Sequence, residues 1–420
     1  MTTTGRYRSA YVAGMLAAGL FAVACAGGAG GEEAPSSRRA VPVVVDEEPL
    51  WRTPANSPQY ERSRLHGDSL LILGNTDDPL TQRLAALDVA TGAVRWQLDT
   101  RNLLPGDGHA RLDQQRDGLR PLAVGDSVLV PFTEWCGSNT CVDDPSDTAG
   151  YGVMALSARD GTIRWKTSLI PKSEGPSAHH QLLTVDENIA LSVNRCCEVD
   201  DPATVRIVAT RVSDGTTAWE STGSWPQFVA DGNVLGVTSN RMPVPGQGGD
   251  YLGKGSTVVA LDAGTGARKW DLSKRYESST VSLTLGDVAV IDTLDERTFT
   301  TFVVDASTGE EIAELGKSVD GLPCVSDEAN LIACRYPGGD TLVTFDVARR
   351  KVSVSRPADS LPPLSGAWHG HVLASNRIVD PGGNTVASFP PTSSVSAMSD
   401  DYVVVYTADR QEYAVHRVSR

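Results

Sequence analysis

One pattern recurs through most of the chain. It reads ALDVATGAVRW at 86–96, ALSARDGTIRW at 155–165, ATRVSDGTTAW at 209–219 and ALDAGTGARKW at 260–270. Each copy is a short apolar strand, a polar turn closed by glycine, a second strand and a tryptophan. Weaker copies follow as VVDASTGEEIA at 303–313, TFDVARRKVSV at 344–354 and IVDPGGNTVA at 378–387, where the tryptophan gives way to Ala313, Val354 and Ala387. The glycine sits where a tight turn needs positive φ, which it adopts without a Cβ clash. The Asp, Ser and Thr residues before it favour the turn through side-chain hydrogen bonds. Each copy therefore reads as a β-hairpin, and helical periodicity is absent.

A second signature precedes each hairpin. It is a polar turn followed by an aliphatic strand: HGDSLLIL at 66–73, GDSVLVP at 125–131, DENIALSV at 186–193, DGNVLGV at 231–237, GDVAVI at 286–291, DEANLIA at 327–333, HGHVLAS at 369–375 and DDYVVVY at 400–406. A unit is then strand, tight turn, strand, variable loop, strand, glycine turn, strand. Repeated four-stranded antiparallel units mark an all-β propeller with one blade per unit. The last unit stops at Arg420 without a fourth strand. Residues 48–53, around Trp51, resemble the missing strand and are expected to close the ring, removing the open sheet edge. The expected fold is eight blades over 47–420, with seven as the alternative.

Composition narrows the function. With 37 basic and 52 acidic residues the formal net charge is −15, and no basic block is present. Nucleic-acid binding needs clustered Lys and Arg, so no nucleic-acid partner is expected. Arg6 and Arg8 precede an uncharged run whose apolar heart is Ala10–Ala24. That run is shorter than the roughly 20 residues of a spanning helix and reads as a secretory signal. It ends in Ala22-Val23-Ala24-Cys25, which resembles a bacterial lipobox, so Cys25 is the expected lipidated residue. Residues 1–24 are then a lipoprotein signal peptide. Residues 25–46, rich in Gly, Pro, Ser and charge, are a flexible tether.

The consensus ALDxxTGxxxW resembles the pyrroloquinoline-quinone-like (PQQ-like) repeat. That family includes quinoprotein alcohol dehydrogenases and non-enzymatic relatives such as the lipoprotein propeller of the outer-membrane β-barrel assembly machinery. The resemblance covers nearly all of the chain after the tether and implies fold more than function. It implies blade-docking roles for Trp51, Trp96, Trp165, Trp219 and Trp270. It also raises PQQ as a cofactor, yet the family's calcium ligands, catalytic Asp and cofactor-floor Trp have no assignable counterparts here.

Six cysteines besides Cys25 favour disulfides in an exported chain. Cys324 and Cys334 flank one turn symmetrically and should face each other across a hairpin. Cys136, Cys141, Cys196 and Cys197 fall in the loops of blades 2 and 3. They pair either as Cys136–Cys141 with a vicinal Cys196–Cys197 or across the two loops, and a zinc site is the competing reading. Quinoprotein dehydrogenases stack a vicinal disulfide on their quinone, but Cys196-Cys197 follows a strand and enters a loop, a different context. Asp-Asp-Pro occurs at 77–79, 143–145 and 200–202. It suits a turn start, with calcium as the sharper alternative. His369 and His371 read as turn residues, His179 and His180 as part of the connection into blade 3, and His109 as part of the connection into blade 2. No nucleophile-elbow, zincin, P-loop or dinucleotide-glycine motif occurs after the signal.

The long connections of blades 2, 3 and 4 should emerge on one face. The expected binding edge there is Trp135, Asp143, Asp144, Asp200, Asp201 and Tyr251. The function that fits is a lipid-anchored, extracytoplasmic, monomeric scaffold for an envelope protein or a glycan, more a binder than an enzyme. A PQQ-dependent oxidoreductase and a cell-wall glycan-binding protein are the alternatives.

Overall fold

The strands assemble as eight antiparallel sheets in a computed structural model. It describes residues 44–54, 62–76, 81–103, 108–112, 122–136, 150–169, 179–195, 205–238, 256–295, 298–319, 321–327 and 329–419. Blade 1 spans Arg62–Asp99, blade 2 Gly108–Ser168, blade 3 His179–Thr222 and blade 4 Trp225–Asp271. Blade 5 spans Ser279–Ser318, blade 6 Cys324–Ser355, blade 7 Leu364–Ser388 and blade 8 Ser393–Ser419. Strand order in each sheet follows chain order, and first strands of neighbouring blades face one another around the centre. Eight blades are present, so the seven-blade alternative is set aside.

Closure comes from the start of the chain. Trp51–Pro54 pairs with the third strand of blade 8 in the register Trp51↔Val415 to Pro54↔Glu412. A further segment, Val44–Val45, pairs with Ser419 and Val418 of the same strand. Blade 8 thus gains its fourth strand in two pieces, and the exposed ladder that strand Glu412–Ser419 would present is covered.

Burial explains why the second strands read as unbroken apolar runs. Both faces of a blade pack on neighbours, so the middle strands are buried at nearly every position. Val288–Ile291 of blade 5 and Val234–Val237 of blade 4 are buried throughout, whereas the outer strands Ile163–Ser168 and Val94–Asp99 are largely exposed. Among the described residues, buried apolar side chains fall into eight clusters that follow the seams between neighbouring blades.

The glycine turns of blades 1, 4 and 5 share one construction, whereas in blades 2 and 3 the aspartate next to the glycine, Asp160 or Asp214, accepts from Thr162 or Thr216 instead. Asp88 Oδ1 accepts from the Ala90 and Thr91 amides and from the Thr91 hydroxyl, and Asp262 does the same for Gly264 and Thr265. Arg95 adds a double ion pair in blade 1, with Asp68 and Asp88. Its guanidinium, with the Thr91 hydroxyl, draws the exposed Asp88 carboxyl down to about 2. The turn residue after the aspartate then hydrogen-bonds to the first turn of its blade, as in Val89 N–H to Asp68 O (3.0 Å) and Ala263 N–H to Gly232 O (2.9 Å).

The carbonyl of that same residue receives the indole of the preceding blade. Trp51 Nε1 donates to Val89 O (2.8 Å), Trp96 to Ala158 O (2.9 Å), Trp165 to Val212 O (2.8 Å), Trp219 to Ala263 O (2.7 Å) and Trp270 to Ala306 O (3.2 Å). The ring lies flat against the turn glycine. A Cβ on Gly92 would sit 2.8 Å from Trp51, and one on Gly215 2.6 Å from Trp165. Positive φ and close approach together require glycine there.

Cys324 and Cys334 form a disulfide between the first two strands of blade 6, where their Cα atoms are register partners.

These contacts set measurable costs. Gly215→Ala should lower unfolding free energy by roughly 2–4 kcal/mol, from left-handed strain plus the clash with Trp165. Trp219→Ala should cost roughly 3–5 kcal/mol. Urea midpoints at unchanged slope would report both, and an unshifted midpoint for Gly215→Ala would contradict the clamp.

Candidate functional site

The two faces of the ring differ in how chain is spent. On one face, the first and third turns are short and tied to each other by the hydrogen bonds just described. On the other, connections between second and third strands are short in five blades: 76–81, 296–297, 336–341, 375–376 and 408–411. Blades 2, 3 and 4 instead use 137–149, 196–204 and 239–256. Three consecutive blades carry the excess.

Blade 2 is also built differently at this edge. Its second strand, Ser127–Cys136, runs ten residues and has two inner partners. Leu122–Val124 pairs with its beginning, and Gly108–Leu112 with its end, in the register His109↔Trp135 and Gly108↔Cys136. Trp135 and Cys136 therefore stand at the strand end nearest the long connections. His109 lies in a strand, not in a plain connection as its spacing suggested. His179 and His180 likewise belong to the first strand of blade 3, His179–Val185, and not to the linker before it. Their neighbours pull these segments into the sheet, which local composition did not signal. Asp77, Asp78, Cys141, Asp143, Asp144, Cys196, Cys197, Asp200, Asp201 and Tyr251 lie outside the described residues.

Among the described residues, hydroxyl and amide groups of the first strands join neighbouring blades. Ser63 and Ser396 Oγ atoms lie 2.7 Å apart across blades 1 and 8. Gln227 of blade 4 meets the Thr280 hydroxyl (3.4 Å) and accepts from the Val281 amide (3.2 Å) of blade 5. Ser365 of blade 7 donates to Val395 O of blade 8 (3.0 Å). These contacts are neutral and join neighbouring blades.

An acid lies beside these neutral contacts in blade 5. Asp292, on the second strand of blade 5, is 8% exposed. Its carboxylate accepts from Ser282 Oγ on the first strand and from Thr301 Oγ1 (2.5 Å) on the third. Burial pushes its pKa up, against a weaker pull downwards from the two hydroxyls. The polar break in VAVID was the available sequence signal for it.

His369 takes the turn position expected of it, whereas His371 is not a turn residue but opens the strand His371–Ala374, paired in register with Trp368. His369 has positive φ, stacks on Trp368 at 4.5 Å and places Nδ1 2.9 Å from Asp400 Oδ1. His371 is buried, which lowers its pKa. Among the described residues, no three His, Cys, Asp or Glu side chains converge as a metal site would.

A family model described as outer membrane protein assembly factor BamB matches residues 36–272 and 152–379. Solved structures similar in fold include BamB from Moraxella catarrhalis, at 16% identity over 84% of this chain and 82% of that one, with a TM-score of 0.35. The quinohemoprotein alcohol dehydrogenase of Comamonas testosteroni matches at 13% identity over 90% and 76%, with a TM-score of 0.49. The computationally designed Ika8 protein matches at 14% identity over 86% and 96%, with a TM-score of 0.50. Such identities speak to the fold alone. No curated protein sequence matches the chain.

The Asp292 site yields a pH signature. A carboxyl whose folded pKa is raised contributes stability that is complete below its unfolded value near 3.8 and is lost as pH rises through the folded value. Asp292→Asn keeps one acceptor and gains a donor for the two hydroxyls. Its Tm should exceed wild type by a few degrees at pH 8, and the gap should close towards pH 4. A Tm lower than wild type at pH 8 would refute the buried-acid account.

Proposed function

The chain belongs to the BamB family of PQQ-like-repeat propellers, and we propose on that basis that it is an exported lipoprotein scaffold that binds proteins at the cell envelope. The carrying observation is the asymmetry of the two faces. One is sealed by turn-to-turn hydrogen bonds, and the other carries three long connections on consecutive blades. Long connections on a rigid scaffold commonly hold binding determinants. Trp135, near the end of the extended strand that leads into 137–149, is the proposed anchor of that surface.

Anchoring is proposed to run through Cys25. The lipobox-like Ala22-Val23-Ala24-Cys25 would be cleaved before the cysteine, and the residues from Cys25 up to the strand Val44–Val45, three fewer than the 25–46 expected from composition, would tether the ring. Among the described residues no helix is long and apolar enough to cross a membrane. The family description points to envelope proteins as partners, in the setting of outer-membrane protein assembly. A protein surface suits a net charge of −15 better than an anionic lipid surface does.

Two experiments test this reading. Cys25→Ser should move the protein from the membrane fraction to the soluble fraction, and full retention in the membrane would refute the lipid anchor. Replacing 137–149 and 239–255 with short glycine turns, together with Trp135→Ala, should abolish cross-linking of envelope proteins to the chain while changing Tm by less than about 2 °C. Undiminished cross-linking would move the binding surface off this face.

A further inference from the structure

The seams are not closed alike. Five of them, from blade 8/1 through 4/5, hold an indole against a glycine turn. At 5/6, Ala313 occupies the indole position, and an Arg350–Asp287 ion pair with Tyr336 against Gly316 makes the junction instead. At 6/7, Pro357 stands against Gly383, 2.6 Å from where its Cβ would be, and Ser355 Oγ donates to Pro381 O (3.3 Å).

The 7/8 seam has neither half of the clamp. Ile378↔Ala387 corresponds in register to Ala86↔Trp96, so Ala387 stands where an indole would. On the blade 8 side, Val418 N–H bonds Asp401 O (2.7 Å) as Val89 N–H bonds Asp68 O, so Val418 marks the expected start of a glycine turn. In its place strand Glu412–Ser419 pairs with Val44–Val45. A cavity of about 540 Å³ opens here, lined on its apolar side by Val44, Val45, Val386, Ala387 and Phe389. The His416 ring forms a further wall, edge-on to Phe389 at 5.6 Å, with Nδ1 held 2.8 Å from Asp46 O.

The charge at its mouth is mixed with an acidic excess, Arg52 and Arg410 against Asp46, Glu47, Asp409 and Glu412. Arg52 and Arg410 both lie along the cavity, and both are engaged by Glu412, at 2.6 Å and 3.6 Å. Asp46, Glu47 and Asp409 line it as exposed acids. The site therefore offers an apolar slot beside carboxylates.

We propose that the 7/8 seam is a docking site for an extended segment of a partner protein that presents a tryptophan next to lysine or arginine. The ring would fill the slot that an intramolecular indole fills at the clamped seams, and the neighbouring cation would meet Asp46, Glu47 and Asp409. A volume of about 540 Å³ lies within the roughly 300–1,000 Å³ of small-ligand sites, enough for a ring and its flanking backbone. Indoles suit such edges because one end is apolar and the other is a donor. This inference rests on the protein-scaffold reading and assigns that scaffold a second, sequence-selective contact away from the long connections.

The probe is acetyl-Ser-Lys-Trp-Lys-Ser-amide, titrated calorimetrically into the purified full-length protein, with peptides carrying Ala for Trp and Glu for both Lys as comparisons. The Trp–Lys peptide should bind about tenfold more tightly than the Ala peptide and about threefold more tightly than the Glu peptide. Ala387→Trp should fill the slot, weaken the probe about tenfold and raise Tm; Ala387→Leu serves the same purpose should the larger ring fail to fold. Asp409→Lys should weaken the probe about threefold at unchanged Tm. Equal binding of the Trp and Ala peptides, or undiminished binding to a folded Ala387 variant, would overturn the proposal. Either failure leaves cross-linking through the loop face unaffected, so the two readings fail separately.

Discussion

One residue in each of five blades carries the junction with the blade before it. At Val89, Ala158, Val212, Ala263 and Ala306 the amide bonds the first turn of its own blade, while the carbonyl accepts the indole N–H of the blade before it. Folding of a turn and docking of a neighbour thus depend on the same few atoms. The adjoining glycine must supply both positive φ and a bare surface for the ring. The aspartate before it must hold the turn open to that geometry. A change at any of the three is felt in two blades at once.

That coupling explains what could be read without coordinates. The Asp, Gly and Trp of the repeat are local chemistry at fixed spacing, so blade count, strand order and closure by Trp51 followed from the pattern. The Cys324–Cys334 pairing followed from symmetry about one turn. What escaped was set by distance in sequence. Gly108–Leu112 is a strand only because Ser127–Cys136 extends to meet it, and His179 enters a sheet through residues beyond its own turn. Asp292 was hidden because its partners, Ser282 and Thr301, sit on different strands. The cavity beside Ala387 was partly visible as a missing tryptophan, but its other wall comes from residues 44–47, far away in sequence.

The architecture separates stability from recognition. The indole clamps, the turn-to-turn bonds and the neutral contacts between first strands hold the frame. They leave the second-to-third-strand connections of blades 2 to 4 free to vary in length at small entropic cost. They also leave the 7/8 seam with a cavity beside Ala387 in place of an indole clamp. Under the proposed function, both departures from the repeat are places where a partner would be met without breaking the frame.

The most direct test of the clamp is solvent exchange at the indole nitrogens. In protein labelled with ¹⁵N at tryptophan and moved into D₂O, the Nε1–H signals of Trp51, Trp96, Trp165, Trp219 and Trp270 should persist and vanish only at the rate of global unfolding. Exchange of these five within minutes, in a protein still folded by its backbone amides, would contradict the account.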